Sequence, residues 1–141
     1  MPDLPLLRAY LDSHVLFSAS LSAHSDFLEL WRLRGITLIT SPYSIHEIAR
    51  NIRFPGQRER FESLLAQTET VSDADVRFVP AYAAVVAKDQ PILAAAIAAS
   101  VDFLVTGDKN HFGHLYGTAV SGVTVLSPAN FLLRHGDRRM R

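Results

Sequence analysis

The chain contains no cysteine. Disulfides and thiolate metal sites are therefore excluded, and a reducing, cytoplasmic setting is compatible with the sequence. It has no excess of charge of either sign: 14 Lys and Arg balance 14 Asp and Glu. A general grip on nucleic acid through net positive charge is thus unsupported, and any such binding must come from a local basic patch. No apolar run is long enough to span a bilayer. The longest, Ile92 to Val105, is interrupted by Ser100 and Asp102. The N-terminus lacks a basic region followed by a long apolar core, so no signal peptide and no membrane partner are expected. A glycine-rich phosphate loop is missing, which leaves nucleotide-cofactor binding without support.

What is present is enough apolar material for one core: 48% of 141 residues. Residues 1–134 are expected to form a single domain, followed by a polar, basic tail over 135–141 that frays. Short apolar runs alternate with helical patterns, which argues an α/β fold with a parallel sheet. Five strands are expected, near Ala9 to Asp12, Thr37 to Thr40, Val76 to Val79, Phe103 to Thr106 and Val123 to Leu126. Helical stretches are expected over His14 to Ala23, Ser25 to Arg34, Ser41 to Arg53, Gln57 to Thr68, Pro80 to Ala87, Asp89 to Ser100, Lys109 to Leu115 and Ser127 to Arg134. Ser41-Pro42 and Ser127-Pro128 are helix starts, with Ser as cap and Pro at the first helical position.

Acidic residues recur where these elements meet. Asp12 ends the first apolar run, Glu47 lies in the helix after the second, Asp89 opens the alanine-rich helix, and Asp108 ends Thr106-Gly107-Asp108. If the strands are parallel, all four reach the carboxyl edge of one sheet, where open α/β sheets bind their ligands. Each acid has an ordinary alternative. Asp12 and Asp89 serve equally well as helix caps, with Ser13 able to cap in place of Asp12. Glu47 matches a Ser44-Ile45-His46-Glu47 capping-box pattern, but with Ser41 as the cap it lies too far into the helix to serve there, and it faces the buried side or is solvated; Asp108 is a common turn residue.

The four together are the stronger signal. Two carboxylates about 6 Å apart repel by roughly 3 kcal/mol at an effective dielectric of about 20. A helix N-terminus offsets only about 0.3–1 kcal/mol. A convergent set therefore calls for a hard cation, Mg2+ or Mn2+, and that pairing suits phosphodiester hydrolysis.

Residues Leu11 to Ala19 (Leu-Asp-Ser-His-Val-Leu-Phe-Ser-Ala) resemble the opening of PIN domains. Ser44-Ile45-His46-Glu47-Ile48 is similar to their second acidic motif, and Lys88 to Ala96 to the third. Phe103 to Phe112 strongly resembles the fourth, and Val123 to Leu132 looks like the closing strand and helix. The resemblance implies a three-layer α/β/α sandwich and a metal-dependent ribonuclease. It further implies the toxin of a VapC-like toxin–antitoxin pair, held by an antitoxin protein and often homodimeric. Asp12, Glu47, Asp89 and Asp108 carry over as catalytic residues, ligating the metal or its bound water. Two positions depart from the family pattern. His14 stands where Asn is frequent, and Asn110 and His111 stand where many relatives carry a further acid, which implies a weaker second metal site.

Ser13, Thr106 and Asn110 are expected to orient the ligands. Lys109, Arg50 and Arg53 are the candidate RNA contacts, and Arg58 and Arg60 belong to the same basic cluster. A solvated face, with Arg58 paired to Glu62, is the competing reading for that cluster. The six histidines, His111 among them, show no strong zinc spacing and are expected at the surface or in ordinary hydrogen bonds. Other readings of the whole chain remain: a PIN nuclease that processes RNA without a toxin role, or an inactive PIN-like adaptor whose acids are only caps. A Rossmann-like phosphatase fits less well, for want of an Asp-x-Asp pair.

Overall fold

The computed structural model describes residues 4–139. Its centre is a six-stranded sheet built from β1 (Leu7–Leu11), β2 (Ile36–Thr40), β3 (Glu69–Thr70), β4 (Phe103–Val105), β5 (Ala119–Val120) and β6 (Val123–Leu126), in the order β3-β2-β1-β4-β6-β5. All neighbours pair parallel except β5, which is antiparallel to β6. The helices are α1 (Ser13–Ser20), α2 (Pro42–Ala49), α3 (Gln57–Leu65), α4 (Gln90–Ala98), α5 (Lys109–Phe112) and α6 (Pro128–Arg134), joined by several 3-10 turns.

The period-two side-chain alternation of the strands divides the core into two layers. Ala9 and Leu11 of β1, Leu38 of β2 and Val105 of β4 face a cluster with Val15, Leu16, Ile48, Phe61 and Phe131 of α1, α2, α3 and α6. Tyr10, Ile39 and Leu104, the residues between, face a second cluster with Ile92, Leu93, Ala95, Ala96 and Phe112 of α4 and α5. This is the expected α/β/α sandwich. Buried on both faces, the central strands need the near-continuous apolar runs that the sequence has. Tyr10 carries a hydroxyl into that interior and satisfies it with the hydroxyls of Ser41 and Ser44, 2.5 and 2.8 Å away.

Strand order reverses between β1 and β4. The first three strands in the chain lie on one side of that seam and the last three on the other. The seam is closed by the pairs Ala9↔Phe103, Tyr10↔Leu104 and Leu11↔Val105, and by the Asp12 N–H donating to the Val105 carbonyl at 3.2 Å.

Several expectations need correction. The sheet has six strands, not five. Val76 to Val79 is not a strand: Val76–Phe78 forms a 3-10 turn, because Asp75 accepts from the Arg77 N–H at 2.9 Å and competes with sheet pairing. The third strand is instead the two-residue β3 at the sheet edge. The stretch Ser25 to Arg34 is a 3-10 helix over Asp26–Arg32, started by Ser25 accepting from the Phe27 N–H. The helix expected to reach Arg53 stops at Ala49. Buried Gln57 explains this early end, since its side-chain oxygen takes the N–H groups of Arg53 and Phe54 at 3.1 and 3.3 Å. Pro80 to Ala87 is two 3-10 turns, Ala81–Ala83 and Ala87–Asp89, separated by Ala84 at φ 53.

The segment expected to fray is held in place over its described residues. His135 and Arg138 are buried. Arg138 donates to the carbonyls of Arg34 and Gly35 at 3.2 and 3.5 Å, and its own carbonyl accepts from the Arg34 N–H at 2.8 Å. Met140 and Arg141 lie outside the described residues.

Candidate metal centre

Asp12 follows β1 directly and caps α1, its Oδ1 accepting from the Val15 N–H at 3.3 Å. Its other oxygen, Oδ2, accepts from the Thr106 hydroxyl. Thr106 stands just past β4 on the neighbouring strand, fully buried. The same hydroxyl oxygen accepts from the Asp108 N–H at 3.1 Å. One threonine thus ties two of the four acids to each other across the seam. Asp108 caps α5, its Oδ1 accepting from the His111 N–H at 3.2 Å, which leaves Oδ2 for other partners.

Asp89 behaves differently. It occupies the position before α4 but makes no capping hydrogen bond with its side chain. Its carboxylate is turned toward Asp108 and His111, and one ligand atom from each of these three residues lies within 4.8 Å of the others. Glu47, in α2, caps nothing either. Its Oε1 is buried and has no hydrogen-bond partner among the described residues, and the same holds for Asp89 Oδ2 and His111 Nδ1.

The electrostatics follow this crowding. Burial pushes the Asp12 carboxyl up to about 6, and the Thr106 hydrogen bond opposes only part of that rise. Burial also raises Glu47; the negative charge of Asp89 adds to it, while Arg50 and Lys88 pull the other way. Tyr43 is raised by burial and by the charges of Glu47 and Asp89, and Tyr116 by burial and by Asp12 and Asp108. Both tyrosines brace the site. The Tyr43 hydroxyl donates to the Lys88 carbonyl beside Asp89, and the Tyr116 hydroxyl donates to the Thr106 carbonyl at 2.7 Å.

Of the three groups expected to orient ligands, Thr106 does so by the bonds above. Ser13 is buried at the start of α1 and lines a depression of about 480 Å³ with His14, Phe17, Glu47, Arg53 and Phe54. Asn110 is exposed, and among the described residues no hydrogen bond joins it to the acids. The basic candidates are divided. Arg53 lines the depression beside Glu47, Arg50 is exposed nearby in charge terms, and Lys109 lines a different depression of about 620 Å³ with Tyr116 and Pro128. Arg60 of the same cluster is a strut, donating to the carbonyls of Ser20 and Leu21 at 2.7 and 2.9 Å.

Sequence reasoning missed His111, Tyr43, Tyr116 and Lys88. Only His111 left a usable trace: it follows Asp108 by one helical turn, so both side chains share a face. The tyrosines act on carbonyls of other elements, Lys88 and Thr106, which no local pattern reports.

No curated protein matches the sequence significantly. Solved structures share its fold, two of them as follows. A chain of the VapBC2 structure from Rickettsia felis, determined bound to a DNA fragment from its promoter, superposes with a TM-score of 0.62 at 15% identity, covering 86% of this chain and 98% of that one. PAE2754 from Pyrobaculum aerophilum superposes with a TM-score of 0.64 at 17% identity, covering 94% and 97%. At such identities the likeness speaks for the fold alone. The sequence carries the rest: residues 8–110 match the PIN domain family. That span takes in all four acids and most of the sheet, and this chain belongs to the PIN domain family.

Proposed function

We propose that this chain is a metal-dependent ribonuclease that hydrolyses RNA phosphodiester bonds and acts as the toxin of a toxin–antitoxin pair. The observation that carries the reading is that Asp89 and Glu47 each bury a carboxylate oxygen with no aligned hydrogen bond, Asp89 Oδ2 having the His111 ring nitrogen beside it. Helix capping accounts for Asp12 and Asp108, but Asp89 and Glu47 cap nothing. Unpaired buried carboxylate oxygens are costly, and a hard divalent cation removes that cost. Mg2+ or Mn2+ suits the donor set, with Asp12, Glu47, Asp89 and Asp108 holding it directly or through water. When bound, the cation lowers the pKa of water and neutralises charge developing on the phosphate.

The chain's own residues set up the rest. Thr106 and the α1 N-terminus fix Asp12 in one orientation, and the Thr106 hydroxyl fixes the backbone at Asp108. The depression beside Glu47 presents Arg53 to a phosphate and Phe17 and Phe54 to a base. The likeness to a chain of the VapBC2 structure supports an antitoxin partner; the promoter DNA belongs to that structure. A gene for a small DNA-binding protein beside this one would favour the toxin role over RNA processing.

Asp108→Asn tests the site. Asn keeps an acceptor for the His111 N–H, so the cap survives, while one negative charge and one ligand are lost. Relief of repulsion, a few kcal/mol at most, should leave the metal-free variant at least as stable as the wild type. Stabilisation by added Mn2+ should shrink, because that gain reflects binding to the native state, and RNA cleavage should collapse. A variant that keeps both its Mn2+ stabilisation and its cleavage rate defeats the reading. A wild type that shows neither favours the adaptor.

A further inference from the structure

We propose that His111 is a nitrogen ligand of this centre, and that it turns an otherwise all-oxygen site toward transition-metal cations such as Mn2+ in preference to Mg2+. The inference rests on the metal-dependent reading of the same carboxylates. Nδ1 of His111 lies 2.7 Å from Asp89 Oδ2 and 3.0 Å from Asp108 Oδ2. Those are hydrogen-bond lengths without hydrogen-bond alignment, for Nδ1 and Asp89 Oδ2 are both buried and both lack a hydrogen-bond partner. The Asp89 side chain is only 10% exposed. The ring nitrogen and the two carboxylate oxygens form one compact group, with all three ligand atoms within 4.8 Å of one another.

The spacing fits an ion held by that group. Neighbouring ligands of an octahedral cation, each about 2.1 Å from the metal, sit about 3 Å apart. The two Nδ1–carboxylate separations fall around that value, and all three ligand atoms lie within 4.8 Å of one another. Local structure holds the ring there. The His111 N–H is tied to Asp108 Oδ1 within one turn of α5, and Phe112 anchors that turn in the core. Ligation through Nδ1 puts the ring proton on Nε2. Imidazole is a softer donor than carboxylate, and it is a poor exchange for one of the waters that Mg2+ retains.

The test uses the full chain with Mn2+ and Mg2+ as separate probes. Pulsed electron paramagnetic resonance of the Mn2+-bound wild type should show coupling to one histidine nitrogen, and His111→Asn should lose that signal. In calorimetry, His111→Asn should weaken Mn2+ binding by at least about tenfold, the scale of loss when even a group supporting a ligand is removed. Mg2+ binding should change much less. Tight Mn2+ binding with no nitrogen coupling in the wild type overturns the role of His111 and leaves the carboxylate site standing. Equal losses of Mn2+ and Mg2+ affinity in the variant overturn the preference. A wild type that binds neither ion overturns both this inference and the metal-dependent reading beneath it.

Discussion

Asp12 shows how much a single residue can hold in this site. One oxygen caps α1 and the other takes the Thr106 hydroxyl, yet burial still raises its carboxyl to about 6. The folded protein therefore binds this proton more tightly than the unfolded chain does, whose Asp titrates near its usual value of about 3.9. Protonation favours the native state, and that contribution fades as pH rises from about 4 to about 6, then stays lost. The shift corresponds to something on the order of 3 kcal/mol. Asp12→Asn should remove it, since the amide has no proton to gain and its oxygen can still cap. Thermal unfolding in chelator from pH 4 to 8 should show the wild type losing stability relative to the variant across that window. Parallel curves would mean that Asp12 is not the buried acid described here. Asp12, Asp89 and Asp108 stand out in the sequence because each ends or begins an element, and Glu47 because its helix follows a strand. The role of His111 was not legible there, because its second carboxylate partner, Asp89, comes from a different element and no spacing rule connects them.

At the scale of elements, the unexpected attachment is between the turn into β2 and the segment after α6. Gly35 has φ +70, and a Cβ placed there would come within 2.9 Å of Arg138 Nη1. Gly35→Ala should cost about 1–2 kcal/mol for the left-handed backbone alone, and should also push Arg138 off the two carbonyls it serves. Arg138→Ala should destabilise as well, by leaving those carbonyls short of a donor. The two losses share one contact, so the double variant should fall short of their sum; strict additivity in Tm-derived free energies would show the contact to be idle. Polarity made this segment read as a fraying tail, and only the tertiary partner reveals otherwise. The helix ends have the same lesson. α2 stops where the Gln57 side chain captures two N–H groups, and Val76–Phe78 turns because of Asp75. Each is a side chain competing with the backbone pattern. The strands β3 and β5, two residues each, carry no periodicity to read.

For the whole molecule, the even balance of charge sets the terms on which the proposed RNA substrate would bind. Attraction must come from local cations, and Arg53 and Lys109 line separate depressions. Replacing Lys109, Arg50 and Arg53 together by Ala should weaken RNA binding and flatten its salt dependence, since fewer phosphate contacts release fewer counterions. Binding that is unchanged across a salt series would place the RNA elsewhere on the surface. The α/β sandwich was legible because alternating apolar runs and helical patterns are a property of the entire chain. Its seam has a consequence for taking the protein apart. Cut between Val71 and Asp75, the chain would yield one piece with β1, β2, β3, Asp12 and Glu47, and another with β4, β5, β6, Asp89 and Asp108. Each piece would own half of the charge cluster and a bare strand edge. The protein is in this sense a natural two-part lock, and the proposed cleavage of RNA, where present, would report the meeting of its halves.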